Sequence, residues 1–233
     1  MPDVGEFKMP SASDRHVIEL KGRRLQVIVK LANIVLTPTK PKYPGGVWHV
    51  EGMQNEHIVA TGIYYYHCSN IEQSSLQFRT VISEPDYEQN DERGVDAVYG
   101  LVDEAPLNQR IGDVETREDR CIVFPNVYQH CVTPFELQDS SKSGYRKILV
   151  FFLVDPAVRI ISTANVPPQQ AHWRTGDHAV ESIGMRLRGR SSKATMSMQW
   201  AKEHREKLMN ERKYFTAKNN EMLFERPFSL CEH

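Results

Sequence analysis

Two tripeptides in the chain pair a histidine with an acid two positions on: His49-Val50-Glu51 and His204-Arg205-Glu206. Nine histidines and 30 acidic residues among 233 positions make such a triplet expected by accident, so residue type alone decides nothing. Backbone geometry separates the two. On a helix each residue turns by roughly 100°, so i and i+2 point about 200° apart and cannot close on one ion. On an extended segment the same spacing puts both side chains on one face. His49 and Glu51 follow a Pro-Gly-Gly turn and precede a β-branched run, so they are expected to converge; His204 and Glu206 lie in a stretch of helical composition. His130, just after the apolar run Cys121–Phe124 and before Val132-Thr133-Pro134, is the candidate third ligand. Two imidazoles and a carboxylate that leave coordination positions open suit non-haem Fe(II) and its oxygen chemistry. The same donors also make a catalytic zinc site, although no H-E-x-x-H helix is present to supply a hydrolase with its general base.

Sixteen residues after His130 the chain reads Gly144-Tyr145-Arg146-Lys147-Ile148-Leu149-Val150-Phe151-Phe152. An arginine opening an apolar strand is costly to bury unless something anionic meets it. Its planar fork suits a carboxylate. Arg146 is therefore the candidate anchor for the far carboxylate of a dicarboxylic acid whose other end reaches the metal. Lys147 faces the opposite side. Trp48, Tyr64, Tyr66 and Arg79 are candidates to line a substrate or cosubstrate pocket, with Lys30 and Asn33 on the first strand as weaker ones.

Positioning these residues falls to short strands. Leu25–Leu36, Ile58–Tyr66, Leu76–Ile82, Cys121–Phe124 and Lys147–Val154 are apolar and rich in β-branched and aromatic residues, with turn-forming clusters such as Thr37–Gly46 between them. On the second run Tyr64 and Tyr66 share one face and Tyr65 takes the other. No helical segments alternate with the strands in the βαβ manner, so the pattern predicts an antiparallel sandwich or barrel. After Pro167-Pro168, Arg174–Ser192 reads as a polar loop with a small basic cluster at Arg186, Arg188, Arg190 and Lys193. Ala201, Leu208 and Phe215, spaced by sevens, predict an amphipathic helix over Thr195–Lys218 that lies against the sheet.

Charge nearly cancels, with 29 basic against 30 acidic residues, which argues against a nucleic-acid groove. The longest apolar run, Ile148–Val154, is far short of the roughly 20 residues that span a bilayer, so no membrane segment is expected. The opening residues hold no apolar core of signal-peptide length, and four scattered cysteines without a C-x-x-C point to reduced thiols; together these predict a cytoplasmic protein.

His49-x-Glu51, the distant His130 and Arg146 on the next strand together resemble the 2-oxoglutarate/Fe(II)-dependent dioxygenase superfamily. Tyr43–Arg79, Phe124–Val166 and the ending Phe228-Ser229-Leu230-Cys231-Glu232-His233 are similar, more specifically, to an uncharacterised fungal family within it. The resemblance implies a mainly β fold, a double-stranded β-helix or distorted jelly roll. It implies iron bound by His49, Glu51 and His130, and Arg146 on the distal carboxylate of 2-oxoglutarate. The implied reaction uses dioxygen to oxidise an unactivated C–H bond of a small molecule while 2-oxoglutarate becomes succinate. The expected organisation is an N-terminal segment over 1–18, a jelly-roll core over 19–170 and a loop-plus-helix extension of the same domain over 171–233. Family members tend to be longer on the N-terminal side, where elements that shape the substrate pocket would lie. The His130-to-Arg146 interval exceeds the superfamily's common spacing, so the hairpin Glu136–Gly144 must bulge outward. The alternative is a jelly-roll module that binds metal without turnover.

Overall fold

The computed structural model describes residues 17–88, 90–166, 169–170 and 195–230. They form two compact units: one takes in the described residues up to Val158 together with those from Thr216 onward, the other those from Arg159 to Phe215.

The first unit is built on strands β1 (Val27–Leu36), β2 (Lys42–Tyr43), β3 (Ile58–Ser69), β4 (Ser74–Val81), β5 (Asn108–Thr116), β6 (Arg120–Pro125), β7 (Gln129–Val132), β8 (Phe135–Glu136) and β9 (Gly144–Val154). All their pairings are antiparallel. A four-stranded sheet runs β1-β9-β3-β6, a three-stranded sheet β5-β4-β7, and β2 pairs with β8. An isolated bridge between His49 and His130 adds a fourth segment beside β7.

Strict alternation explains which side chains meet. Ile63 and Tyr65 of β3, Ile122 and Phe124 of β6, and Val150 and Phe152 of β9 point from the larger sheet into a core shared with Leu76 and Phe78 of β4. The two sheets thus lie face to face, each burying every second residue. Helix α1 (Glu92–Tyr99) in the β4–β5 connection is capped by Asp91, which accepts from the Gly94 N–H, and ends at Gly100 in a left-handed conformation. Its Val95 joins Leu101, Leu107 and Phe228 in a second apolar cluster, which draws the C-terminal segment onto this unit.

The expected strands are present with shifted ends. Strands β5, β7 and the short pair β2 and β8 were not expected, because they are polar or too short to show a period. The interval before Arg146 is absorbed as anticipated by a loop over 137–143. Asn70 pins it, donating to the Asp139 and Lys142 carbonyls and accepting from the Asp139 N–H.

The C-terminal helix α2 (Met198–Asn219) is present, but it buries no amphipathic face: none of its residues is buried. Ala201, Leu208 and Phe215 give only one apolar residue every seven, too narrow a stripe to bury. Trp200, Met209 and Tyr214 are spread over other faces and are exposed. The expected loop Arg174–Ser192, its basic cluster and Pro167-Pro168 lie outside the described residues. Among those described, no helix is long and apolar enough to cross a membrane. Cys68, Cys121 and Cys131 are free.

Candidate metal centre

His49 and His130 are direct cross-strand partners. The His49 N–H donates to the His130 carbonyl at 3.2 Å and the His130 N–H donates back at 3.0 Å. A hydrogen-bonded antiparallel pair projects both side chains to the same face, and the two imidazole centroids are 4.4 Å apart. Glu51, two residues past His49 on the same extended segment, shares that face. Its Oε1 lies 3.4 Å from His130 Nε2 and 3.8 Å from His49 Nε2. Among the described residues these three form the one His, Cys and carboxylate group whose donor atoms all lie within 4.8 Å of one another.

The donor set fits a metal ion. Ligand atoms about 2.1 Å from a shared ion sit roughly 3.0–3.4 Å from each other, close to the separations observed. The Val47 carbonyl can only accept, so its 2.7 Å contact with His49 Nδ1 places the proton there and leaves the Nε2 lone pair facing Glu51. Phe124 and Phe78 wall His130, with ring centroids 4.8 and 6.4 Å away.

Electrostatics favour the ligand form at Glu51 and His130 and oppose it at His49. Burial alone would raise the Glu51 carboxyl, but the adjacent imidazoles of His130 and His49 override it and keep the acid well below the usual carboxylate range. Burial pushes His130 down and so favours its neutral ring. For His49, burial acts downward too, but Glu51 and the Val47 carbonyl outweigh it and the net shift is upward.

Asn126, not among the residues expected from the sequence, holds the Glu51 backbone in place. Its Oδ1 accepts from the Glu51 N–H at 2.9 Å, while its Nδ2 donates to the Glu51 and Ile58 carbonyls. No local pattern signals this role, because the backbone groups that Asn126 bonds lie 75 and 68 positions away in the chain.

Arg146 points inward from β9 and is 2% exposed. Its Nη2 donates to Ser74 Oγ at 2.5 Å, and its guanidinium lies over the Phe135 ring at 4.2 Å. Nε and Nη1 are buried without a hydrogen-bond partner. Burial pulls its pKa below the ordinary arginine value, and no carboxylate among the described residues pairs with it.

Of the other candidates, Lys30 lies opposite Val150 and so faces inward. It is close enough to His49 to oppose protonation of that ring. Asn33, opposite Lys147, is on the outer face. So is Tyr64, whose hydroxyl donates to Asp119 at 2.9 Å; Tyr66 is exposed beside a bulge. Alternation also removes Trp48 and Arg79 from the interior. Trp48 precedes an inward-facing histidine, and Arg79 pairs with Gln129 behind the smaller sheet. There the Arg79 guanidinium stacks over Trp48 and bonds Gln129 and Glu225. Asn33, Tyr64, Tyr66, Trp48 and Arg79 therefore do not line the interior that holds the triad.

No curated protein matches the sequence. Among solved structures, the chain is similar to "Selenomethionine labeled Fe(II)/(alpha)ketoglutarate-dependent dioxygenase TqaL", with 17% identity and a TM-score of 0.37 over 66% of this chain. The chain spans about half, 52%, of that protein's length. The family described as protein of unknown function (DUF4246) matches residues 3–177. That match takes in both sheets and every residue of the triad, and the chain belongs to this family.

Proposed function

We propose that the chain is a non-haem Fe(II)/2-oxoglutarate-dependent oxygenase acting on a small molecule, and that its two sheets form a double-stranded β-helix. The strand orders support the fold. Going along the chain, β1, β3, β6 and β9 fall in one sheet while the His49 segment, β4, β5 and β7 fall in the other. That traffic between two facing sheets supports a jelly-roll winding.

One observation carries the functional reading: a buried guanidinium without a carboxylate partner among the described residues, whose Nε and Nη1 meet no oxygen and which has the Cys68 thiol near it, inside the same sandwich as a two-histidine, one-carboxylate cluster. A buried cation left so is costly, and a planar carboxylate matches its two free N–H positions. In this reading His49 Nε2, His130 Nε2 and Glu51 hold Fe(II), and Arg146 receives the distal carboxylate of 2-oxoglutarate beside Ser74. Iron at such a site, with 2-oxoglutarate and dioxygen, supplies the oxidising power to break an unactivated C–H bond as the keto acid goes to succinate. The protein's part is placement. The Val47 carbonyl fixes the His49 tautomer, Asn126 fixes the Glu51 backbone, and Phe78 and Phe124 keep water from His130. Lys30, inward-facing and exposed, stands where an incoming substrate would pass.

The test is succinate formation from 2-oxoglutarate with Fe(II) and ascorbate. The expected result is slow turnover even without a primary substrate, lost on removing Fe(II). Metal uptake with no measurable 2-oxoglutarate binding or consumption would reject the oxygenase in favour of a metal-binding module.

A further inference from the structure

The strongest unexplained feature lies on the other side of the smaller sheet, directly behind the triad. Arg79, an outer-face residue of β4, makes three contacts at once. Its Nε donates to Gln129 Oε1 at 2.7 Å, its guanidinium carbon lies 4.6 Å from the centre of the Trp48 ring, and its Nη2 donates to Glu225 Oε1. Gln129 immediately precedes His130, and Trp48 immediately precedes His49. From the C-terminal segment, Asn220 Nδ2 donates to the Trp48 carbonyl at 2.7 Å. Gln129 is 0% exposed and Asn220 is buried, while Trp48, Arg79 and Glu225 are half-buried, so the network is anchored from within at two of its members.

We propose that Arg79, held by Glu225 and assisted by Asn220, is a positioning residue for the metal centre: it ties together the residues next to both histidine ligands from the opposite face of the sheet. Successive side chains on an extended segment point to opposite faces, so gripping Trp48 and Gln129 from behind sets the pleat on which His49 and His130 project forward. The arginine fork is needed because one planar group must stack on an indole, bond an amide through Nε and pair a carboxylate through Nη2; a lysine has one point charge to offer. The C-terminal segment thereby becomes part of the site.

The same segment is also anchored far from the site, where the Leu230 N–H donates to Asp103. That supplies a control for simple loosening of the C-terminus. The inference rests on the triad binding metal, so the experiment measures both in the intact chain: anaerobic calorimetric titration with Fe(II), and the visible spectrum with Co(II). Arg79→Lys and Asn220→Ala are expected to weaken Fe(II) binding about tenfold, at the lower end of outer-shell effects, and to change the Co(II) spectrum. Glu225→Ala should do the same and Glu225→Gln should recover most of the affinity, since the amide oxygen still accepts from Arg79. Asp103→Ala should lower the thermal midpoint and leave both metal readouts unchanged. Wild-type affinity and spectrum in both Arg79→Lys and Asn220→Ala would overturn the clamp alone, as would an equal loss of affinity in Asp103→Ala. A wild-type chain that takes up no metal would overturn the metal centre and the clamp together.

Discussion

The two His-x-Glu tripeptides share the same side chains at the same spacing and fold to different ends. His49 and Glu51 lie on an extended segment hydrogen-bonded to β7, and their donor atoms close on a third from His130. His204 and Glu206 lie within α2, no residue of which is buried; the His204 ring instead sits edge-on to Trp200, one helical turn back, at 4.4 Å. Backbone period thus decides whether two such donors can converge. The extended pair also has what the helical pair lacks: a cross-strand histidine, a carbonyl fixing one tautomer, and an asparagine fixing the acid's backbone.

The contrast breaks most visibly at the ligands. His49→Ala or His130→Ala should weaken Fe(II) binding by more than roughly a hundredfold, beyond the range typical of outer-shell partners; metal analysis after anaerobic loading and desalting measures it. Unchanged stoichiometry in either variant would reject that ligand. Next in size is Arg146→Met, with effects of opposite sign on two readouts. The 2-oxoglutarate Kd should rise at least thirtyfold, about 2 kcal/mol for a lost buried charge contact. The thermal midpoint of the ligand-free protein should rise as well, because an incompletely paired buried cation gives way to an apolar side chain. An unaltered affinity would move the anchor to inward-facing Lys30. Asn126→Ala should cost about tenfold in Fe(II) affinity by freeing the Glu51 backbone, and a titration matching wild type would remove Asn126 from the site. Smallest of all, His204→Ala should leave metal content untouched; a loss there would mean that the helical triplet matters after all.

How much of this was legible in the sequence follows from the range over which each signal acts. The triad was readable because ligand type, i,i+2 spacing and a neighbouring turn are local, and Arg146 because a cation in an apolar run is locally anomalous. Four pocket candidates lie off the interior for a reason alternation contains: Trp48 adjoins an inward histidine, Arg79 adjoins inward Phe78, and Tyr64 and Asn33 occupy outward positions of β3 and β1, while Tyr66 is exposed at a bulge that interrupts the alternation. Their chemistry was weighed without their parity. Strands β5 and β7 were hidden because one is polar and the other only four residues long. The contacts of Glu225 and Asn220 with Arg79 and Trp48 span 146 and 172 positions, and no local pattern announces a pairing made at that distance. The helical heptad failed differently, since one apolar residue per two turns predicts a helix without giving it a face to bury.

The central claim is that His49, Glu51 and His130 bind one iron in the same interior where Arg146 awaits a carboxylate. An anomalous difference map from a crystal loaded anaerobically with Fe(II) and 2-oxoglutarate tests it most directly. A single strong peak is expected within bonding distance of His49 Nε2, His130 Nε2 and a Glu51 oxygen, with the distal carboxylate of 2-oxoglutarate on the Arg146 guanidinium. Iron bound elsewhere, or 2-oxoglutarate seated away from Arg146, would contradict it.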